Sequence, residues 1–336
     1  VLLLNIYDVS KHAHVSIATV SRVINGNPNV SEKTRMRVLA VMDELGYTPN
    51  VFARSLGLNT MKTIGIMCSD SSDPWLAEAI SYLEKELRKN GYDSILCCSG
   101  YLPETKKKYL ELLCSKRVDA IILTGSHYIE AKAKDNAYLL EAAKDIPIML
   151  VNGHLDGEQI YSTVCDDQAA VYDAVSKLIK AGRSSILYLY SGNSYSNLLK
   201  LSGYRKALTD SGLPIRDELL VISPKDIDSA MEHLKLLSLK GIHFDAVFAA
   251  EDILAVGAVK YGEQAGLKIP EDINIIGYNN SILSRCTTPE LTSVDNKVES
   301  ICTTTVHTLM KVLNNGNVPA KTTITSELIK RGTTNF

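Results

Sequence analysis

The chain has 336 residues, 45% of them hydrophobic and 22% charged, a composition that argues against a disordered or low-complexity chain and leaves length for two or three globular domains. The net charge of −2 is unevenly spread: residues 1–60 carry +2, from Lys11, Arg22, Lys33, Arg35, Arg37 and Arg54 against Asp8, Glu32, Asp43 and Glu44, and the remainder carries −4. That sign suits a polyanionic partner for the N-terminal segment.

The apolar Val1-Leu-Leu-Leu4 lacks the basic flank of a secretory signal and runs directly into charged, capped helix sequence. With no stretch of about 18 apolar residues, the length that spans a bilayer, a cytoplasmic chain without a membrane partner is expected. Asn5, followed three residues on by Asp8, predicts an N-cap and a short helix over 6–13 with Ile6, Val9 and Ala13 on one face. His14 falls where a tight interhelical turn requires positive φ, a backbone that histidine tolerates better than most non-glycine residues. Ser16 caps a second helix over 17–25, whose Val20, Val23 and Ile24 point inward and whose Ile17, Ala18, Ser21 and Arg22 point outward. Small outward residues permit close approach, and one arginine can reach a guanine edge. Ser31 opens a third helix over 32–45, with Val38, Val41, Met42 and Leu45 inward and Gly46 as its C-terminal stop. Three short helices around one small core fit a generic bundle or a DNA-binding headpiece.

The string Val15-Ser-Ile-Ala-Thr-Val-Ser-Arg-Val-Ile-Asn25, followed by Gly46-Tyr-Thr-Pro-Asn50 and Ala53-Arg-Ser-Leu56, resembles the lactose-repressor (LacI/GalR) family of bacterial regulators. The resemblance implies a helix-turn-helix headpiece over 1–48 and a hinge over 49–60, in a homodimer on palindromic, double-stranded operator DNA. It implies that Ile17 and Ala18 sit in the major groove and set operator preference, with Arg22 reading a guanine through its bidentate fork. Tyr7, Ser16, Thr19, Ser21, Asn25, Ser31 and Tyr47 stand where the family contacts phosphates or the groove wall, contacts that position rather than specify. In the family the segment matching 50–57, which here includes Asn50 and Ala53, becomes helical only on operator DNA. There two copies of the leucine matching Leu56 pry open a central base step. Two residues depart from the family pattern: His14 replaces the commoner glycine, and Gly57 stands where a better helix former is usual. Glycine costs roughly 1 kcal/mol in a helix interior, so the hinge helix is expected to end at Leu56 or to form less readily.

From Lys62 onward, apolar runs at 63–69, 94–99, 120–125, 148–153, 186–192, 246–251 and 273–279 predict strands, most of them separated by a helix-length segment. This is the βαβ rhythm of doubly wound parallel sheets, and roughly 270 residues exceed one comfortable sheet domain. The looser resemblance here is to the family's effector domain, with the fold of periplasmic sugar-binding proteins. The implied fold class is α/β: an all-α helix-turn-helix headpiece plus a two-lobed, doubly wound parallel-sheet, periplasmic-binding-protein-like (type 1) effector-binding and dimerisation domain over 61–336. Its first lobe is expected at about 61–162 and 291–322 and its second at about 163–290 and 323–336. The crossings are then expected near 161–167, 283–291 and 322–329.

In such folds ligands sit beyond the carboxyl ends of the strands, between the lobes. Those ends supply Asp70 and Trp75 after the first strand, Asn152 after the fourth, Phe248 and Glu251 within 248–252, Asn279 after Ile-Ile-Gly-Tyr278, and Asn296 after Leu-Thr-Ser-Val-Asp295. Lys200, before Leu-Ser-Gly-Tyr204, completes the set. Each stands where the resemblance places an effector-binding residue. Trp75, the only tryptophan, follows Pro74 in a strand-to-helix loop, where its ring could stack on the apolar face of a sugar. Lys200 replaces the family's usual arginine, and Asn279 the aspartate of its sugar-binding members. An aspartate holds two neighbouring hydroxyls more strongly than a neutral amide. The expected effector is a small hydroxylated molecule, a sugar or sugar derivative, with an anionic phosphate or acid favoured by Lys200 beside uncharged Asn279.

An enzyme is not expected. Asp166-Asp167, Glu251-Asp252 and several histidines are conceivable acid and base groups, but acidic pairs after strands usually cap helices or bind hydroxyls. The sequence has no Gly-rich phosphate loop, nucleophile elbow or H-E-x-x-H. Seven cysteines include no C-x-x-C pair and no cluster with histidine at ligand spacing, and read as free thiols in a reducing compartment. His12 and His14 lie two apart with no third ligand nearby, so neither a metal nor a cofactor is expected. A transport receptor shares the two-lobed fold but would carry a secretion signal and no headpiece.

Overall fold

The computed structural model describes residues 5–47 and 60–336; the hinge candidates Asn50, Ala53, Leu56 and Gly57 lie outside the described residues. Residues 5–47 form α1 (Ile6–Ala13), α2 (Ile17–Ile24) and α3 (Glu32–Leu45). Asn5 Oδ1 accepts from the Tyr7 and Asp8 amides while Asp8 accepts from the Asn5 amide, closing a capping box. His14 reverses the chain at φ 50, and Gly46 ends α3 at φ 61, both in the left-handed region. Helix α2 stops at Ile24, one residue short of the expected end, with Asn25 as its C-cap. Val9, Ala13, Val20, Val23 and Val38 are buried together, and Ile24, Val41, Met42 and Leu45 pack around them.

So small a core leaves the headpiece sensitive to its caps. Asn5→Ala is expected to cost about 1 kcal/mol of headpiece stability, seen as faster hydrogen exchange of the α1 amides in the full chain. Unchanged protection would show that the box carries no net stability.

Residues 60–336 build two sheets. The first contains β1 (Thr63–Cys68), β2 (Asp93–Cys98), β3 (Ala120–Thr124), β4 (Ile148–Val151), β5 (Ile160–Cys165) and β11 (Lys321–Ile324), in the order β11-β5-β4-β3-β1-β2 with every pair parallel. The second contains β6 (Ile186–Tyr190), β7 (Leu220–Ile222), β8 (Ala246–Ala249), β9 (Asn274–Tyr278), β10 (Thr292–Asp295) and β12 (Glu327–Ile329). Its order is β12-β10-β9-β8-β6-β7, parallel except for β10 with β12.

Central strands such as β3, with all five residues buried, are continuously apolar because helices cover both faces. On the first sheet α4 (Pro74–Lys89) and α11 (Val298–Leu313) pack one face, and α5 (Pro103–Ser115) with α6 (Ala137–Ala142) the other. On the second, α7 (Asp167–Lys180) and α8 (Tyr195–Asp210) oppose α9 (Ile227–Leu239) and α10 (Asp252–Gln264). Helices α7 and α8 meet at Gly203, where a Cβ would fall 2.3 Å from the Gln168 carbonyl oxygen; only glycine permits that approach.

The seven expected strands all form, most of them shorter by a residue or two at the ends. The chain leaves the first sheet after Cys165, returns after Asp295 and leaves again after Ile324. The return falls later than the expected 283–291, because Thr292–Asp295 pairs with β9 and belongs to the second lobe. Likewise 163–165 and 323–324 pair within the first sheet rather than the second. Among the described residues no helix is long and apolar enough to cross a membrane.

Candidate functional site

In the headpiece, α2 turns Ile17, Ala18 and Arg22 outward, and Tyr7 on α1 is also exposed. Ile17 is 38% exposed on this outward face. The Ser16 hydroxyl accepts from the Thr19 amide and bonds the Thr19 hydroxyl, and Ser31 does the same with Thr34. Both serines therefore act first as caps, though each hydroxyl keeps hydrogen-bonding capacity for a second partner. Ser21 Oγ accepts from Asn25 Nδ2 at 3.5 Å, and Tyr47 is half-buried against the headpiece core.

Between the lobes, the carboxyl ends of several strands converge on a cleft lined by Trp75, Asn152, Lys200, Glu251 and Asn279 from the expected set. It retains about 50 Å³ of open space, room for three or four waters at roughly 15 Å³ each and too little for a sugar ring. Trp75 lies in the first turn of α4, behind Pro74, and is 7% exposed. Its indole N–H donates to Asn296 Oδ1 at 3.2 Å, and Asn296 Nδ2 donates to Asn279 Oδ1 at 3.0 Å. This relay fixes the ring and, among the described residues, leaves the Asn279 amide nitrogen without an acceptor. Asn152 and Asn279 hold left-handed backbones at φ 62 and φ 102, and Asn152 Oδ1 is buried with no partner among the described residues. A buried unpaired acceptor costs about 1–3 kcal/mol, which a ligand donor would recover.

Four charged side chains share the cleft. Lys200 Nζ donates to the Ala250 carbonyl at 3.0 Å and sits 3.7 Å from the Tyr278 ring centroid. Burial pulls its pKa down, and the Asp167 carboxylate opposes that shift. Asp167 itself is pushed up by burial and accepts from the Tyr278 hydroxyl at 2.5 Å. Lys225 Nζ lies 2.5 Å from Asp73 Oδ2 and 3.0 Å from Glu251 Oε2, so its pair of carboxylates outweighs burial and its pKa rises. His127, also lining the cleft, is pushed down by burial and by Lys225. Among the lining residues two lysines stand against the two carboxylates of Asp73 and Glu251, with Asp167 behind Lys200.

Three expected residues lie elsewhere. Phe248 is fully buried on β8 with its ring stacked on Tyr188 at 5.9 Å, because strand alternation turns it toward α7 and α8. Asp70 Oδ1 accepts from both the Ser72 hydroxyl and the Ser72 amide, a local turn that lowers its pKa, and the residue does not line the cleft. Asn296 stands behind Trp75 as its acceptor and does not line the cleft. Conversely, Asp73, Tyr101, Ser126, Ser194 and Lys225 line it outside the expected set. In the sequence, loop serines and tyrosines look like any other turn residues; Asp73 alone has a local signal, as the cap before Pro74.

The family profile described as periplasmic binding proteins and sugar binding domain of LacI family matches residues 61–332, and that of bacterial regulatory proteins, lacI family, matches 5–50. An HTH-type transcriptional regulator of Lachnoclostridium phytofermentans is 61% identical over 99% of this chain and 100% of its own. Catabolite control protein A of Priestia megaterium is 34% identical over 93% of each. A crystal structure of the lac repressor dimer bound to operator and an anti-inducer superposes with a TM-score of 0.88 at 25% identity, covering 98% of this chain and 99% of that one. These relatives are regulators and not enzymes, and the helical headpiece and two sheet lobes resemble those of the lac repressor. The chain belongs to the LacI family of bacterial DNA-binding transcriptional regulators, with a sugar-binding-like domain behind its helix-turn-helix headpiece.

Proposed function

We propose that the chain is a cytoplasmic repressor that binds a palindromic operator as a homodimer and responds to a small hydroxylated effector, a sugar or sugar derivative, in the interlobe cleft. Effector there shifts the lobes and hence the spacing of the two hinges. The outward Ile17, Ala18 and Arg22 support the DNA reading, with the exposed Tyr7, Ser16 and Ser31 as phosphate contacts. The repressor found as a dimer on its operator is the structural parallel.

The observation that carries the effector reading is the Trp75–Asn296–Asn279 relay beside the unpaired Asn152 oxygen. An aromatic edge, an amide donor and an open acceptor are what a polyol requires. The carboxylates favour a neutral sugar over the anionic one that Lys200 and Asn279 alone suggest, since Asp73 and Glu251 engage Lys225 and Asp167 acts on Lys200.

The test uses the single tryptophan. Neutral mono- and disaccharides, uronic acids and sugar phosphates are titrated while Trp75 emission is followed, with calorimetry in parallel. A saturable change is expected for a neutral sugar and its loss in Trp75→Phe. A compound that binds by calorimetry without perturbing Trp75 would move the site out of the cleft.

A further inference from the structure

Lys225 lies between β7 and α9 on the second lobe, and its ammonium bridges two carboxylates drawn from different lobes. Asp73 belongs to the first lobe, where its other oxygen caps α4 by accepting from the Trp75 and Leu76 amides at 2.9 and 3.0 Å. Glu251 belongs to the second and accepts from the Ser191 hydroxyl at 2.9 Å. The side chains of Asp73 and Glu251 are only 6% and 9% exposed, and that of Lys225 is 33% exposed. Beside this bridge Ser126 Oγ donates to Ser194 Oγ at 3.0 Å, and the Trp75–Asn296–Asn279 relay and the Cys165 thiol against the Tyr278 hydroxyl also link the lobes.

Two nearly buried carboxylates facing one another across a cleft repel and are each costly to desolvate. A cation between them therefore favours the closed form. We propose that Lys225 is an internal latch that holds the cleft shut by occupying the Asp73–Glu251 pair, and that it competes with the effector for that pair. The inference rests on the cleft being the effector site. An incoming molecule must exchange the ammonium for its own hydrogen-bond donors, either hydroxyls or an amine. A carboxylate or phosphate, which only accepts, is excluded from that end of the cleft and directed to Lys200.

The latch is tested in the full chain without any effector, through acrylamide quenching of the single tryptophan, which is 7% exposed in the closed cleft. Lys225→Met strands two carboxylates, so the lobes part and the quenching constant rises several-fold. Lys225→Arg keeps the cation and the low quenching. Lys225→Met combined with Asp73→Asn and Glu251→Gln removes the repulsion, keeps an acceptor to cap α4 and returns quenching close to that of the unmodified chain. Unchanged quenching in Lys225→Met overturns the latch. So does a triple variant as open as the single one, since packing and not charge would then close the cleft. The sugar titration tests the effector reading separately: failure there removes the competition with effector but not the closure of the cleft by Lys225, and failure of the latch leaves the effector site standing.

Discussion

Replacing Arg22 with alanine is expected to weaken binding to the cognate palindrome by about 1–3 kcal/mol, roughly 5- to 150-fold, while leaving most of the salt-sensitive binding to unrelated duplexes in place. Arg22 lies on the exposed face of α2, one turn after Ile17 and Ala18. Among the described residues no carboxylate forms an ion pair with it, whereas Arg35 engages Glu32 at 3.7 Å and the Asn27 carbonyl at 2.8 Å. Its fork is thus available for a base edge while that of Arg35 is spent on holding the loop before α3. Anisotropy titrations of operator and scrambled duplexes over a salt series separate the two roles. An arginine on a phosphate loses affinity equally on both sequences and lowers the salt slope by about one. That outcome would remove Arg22 from base readout and leave Ile17 and Ala18 as the specificity pair.

Where the physics is local, the sequence predicts the structure closely. The ends of α1, α2 and α3 follow from Asn5, Ser16, Ser31 and Gly46, each acting within four residues of itself. Strands β3, β4 and β6 follow from uninterrupted apolar runs. Strand β10 does not, because its burial depends on partners some forty residues away: Thr292 Oγ1 bonds Thr334 Oγ1 at 2.9 Å, and Ser293 Oγ donates to Asp252 at 2.5 Å. A run of threonine and serine becomes interior only once those partners arrive.

The same distinction explains the cleft. Trp75, Asn152, Glu251 and Asn279 are legible because each stands just past the carboxyl end of a recognisable strand. Phe248 is misplaced when a strand's end is read without its alternation, which turns the ring into the core beside Tyr188. Lys225 is invisible because β7 is three residues long, too short for any periodicity to mark it, and because its carboxylate Asp73 is 152 residues away in the chain.

A second large effect is expected at Asp252, which begins α10 at 2% exposure. One oxygen accepts from the Ser281 amide at 2.6 Å and the Ser281 hydroxyl at 2.8 Å, and the other accepts from Ser293. These bonds fasten the segment just beyond Asn279 to the second lobe. Burial nonetheless wins: it pushes the carboxyl up from the ordinary 3.8 to about 6, against the lowering effect of the serine bonds. The folded chain then holds a proton that the unfolded chain has released between about pH 4 and 6, so the contribution of Asp252 to stability falls as pH rises through that window. Below it the group is protonated in both states and costs nothing; above it the full penalty, about 3 kcal/mol, is present. Asp252→Asn keeps an acceptor for the Ser281 amide, can donate to Ser293, and cannot ionise. Denaturant unfolding followed by far-ultraviolet circular dichroism should show the variant gaining about 2 kcal/mol on the parent between pH 4.5 and 7.5. Parallel stability curves would mean that the carboxylate is already ionised at pH 4.5, with the three hydrogen bonds outweighing burial. Asp252→Leu separates bonding from charge: with no acceptor at any pH it leaves the Ser281 amide unpaired, so its deficit should persist at pH 4.5, where the parent is protonated.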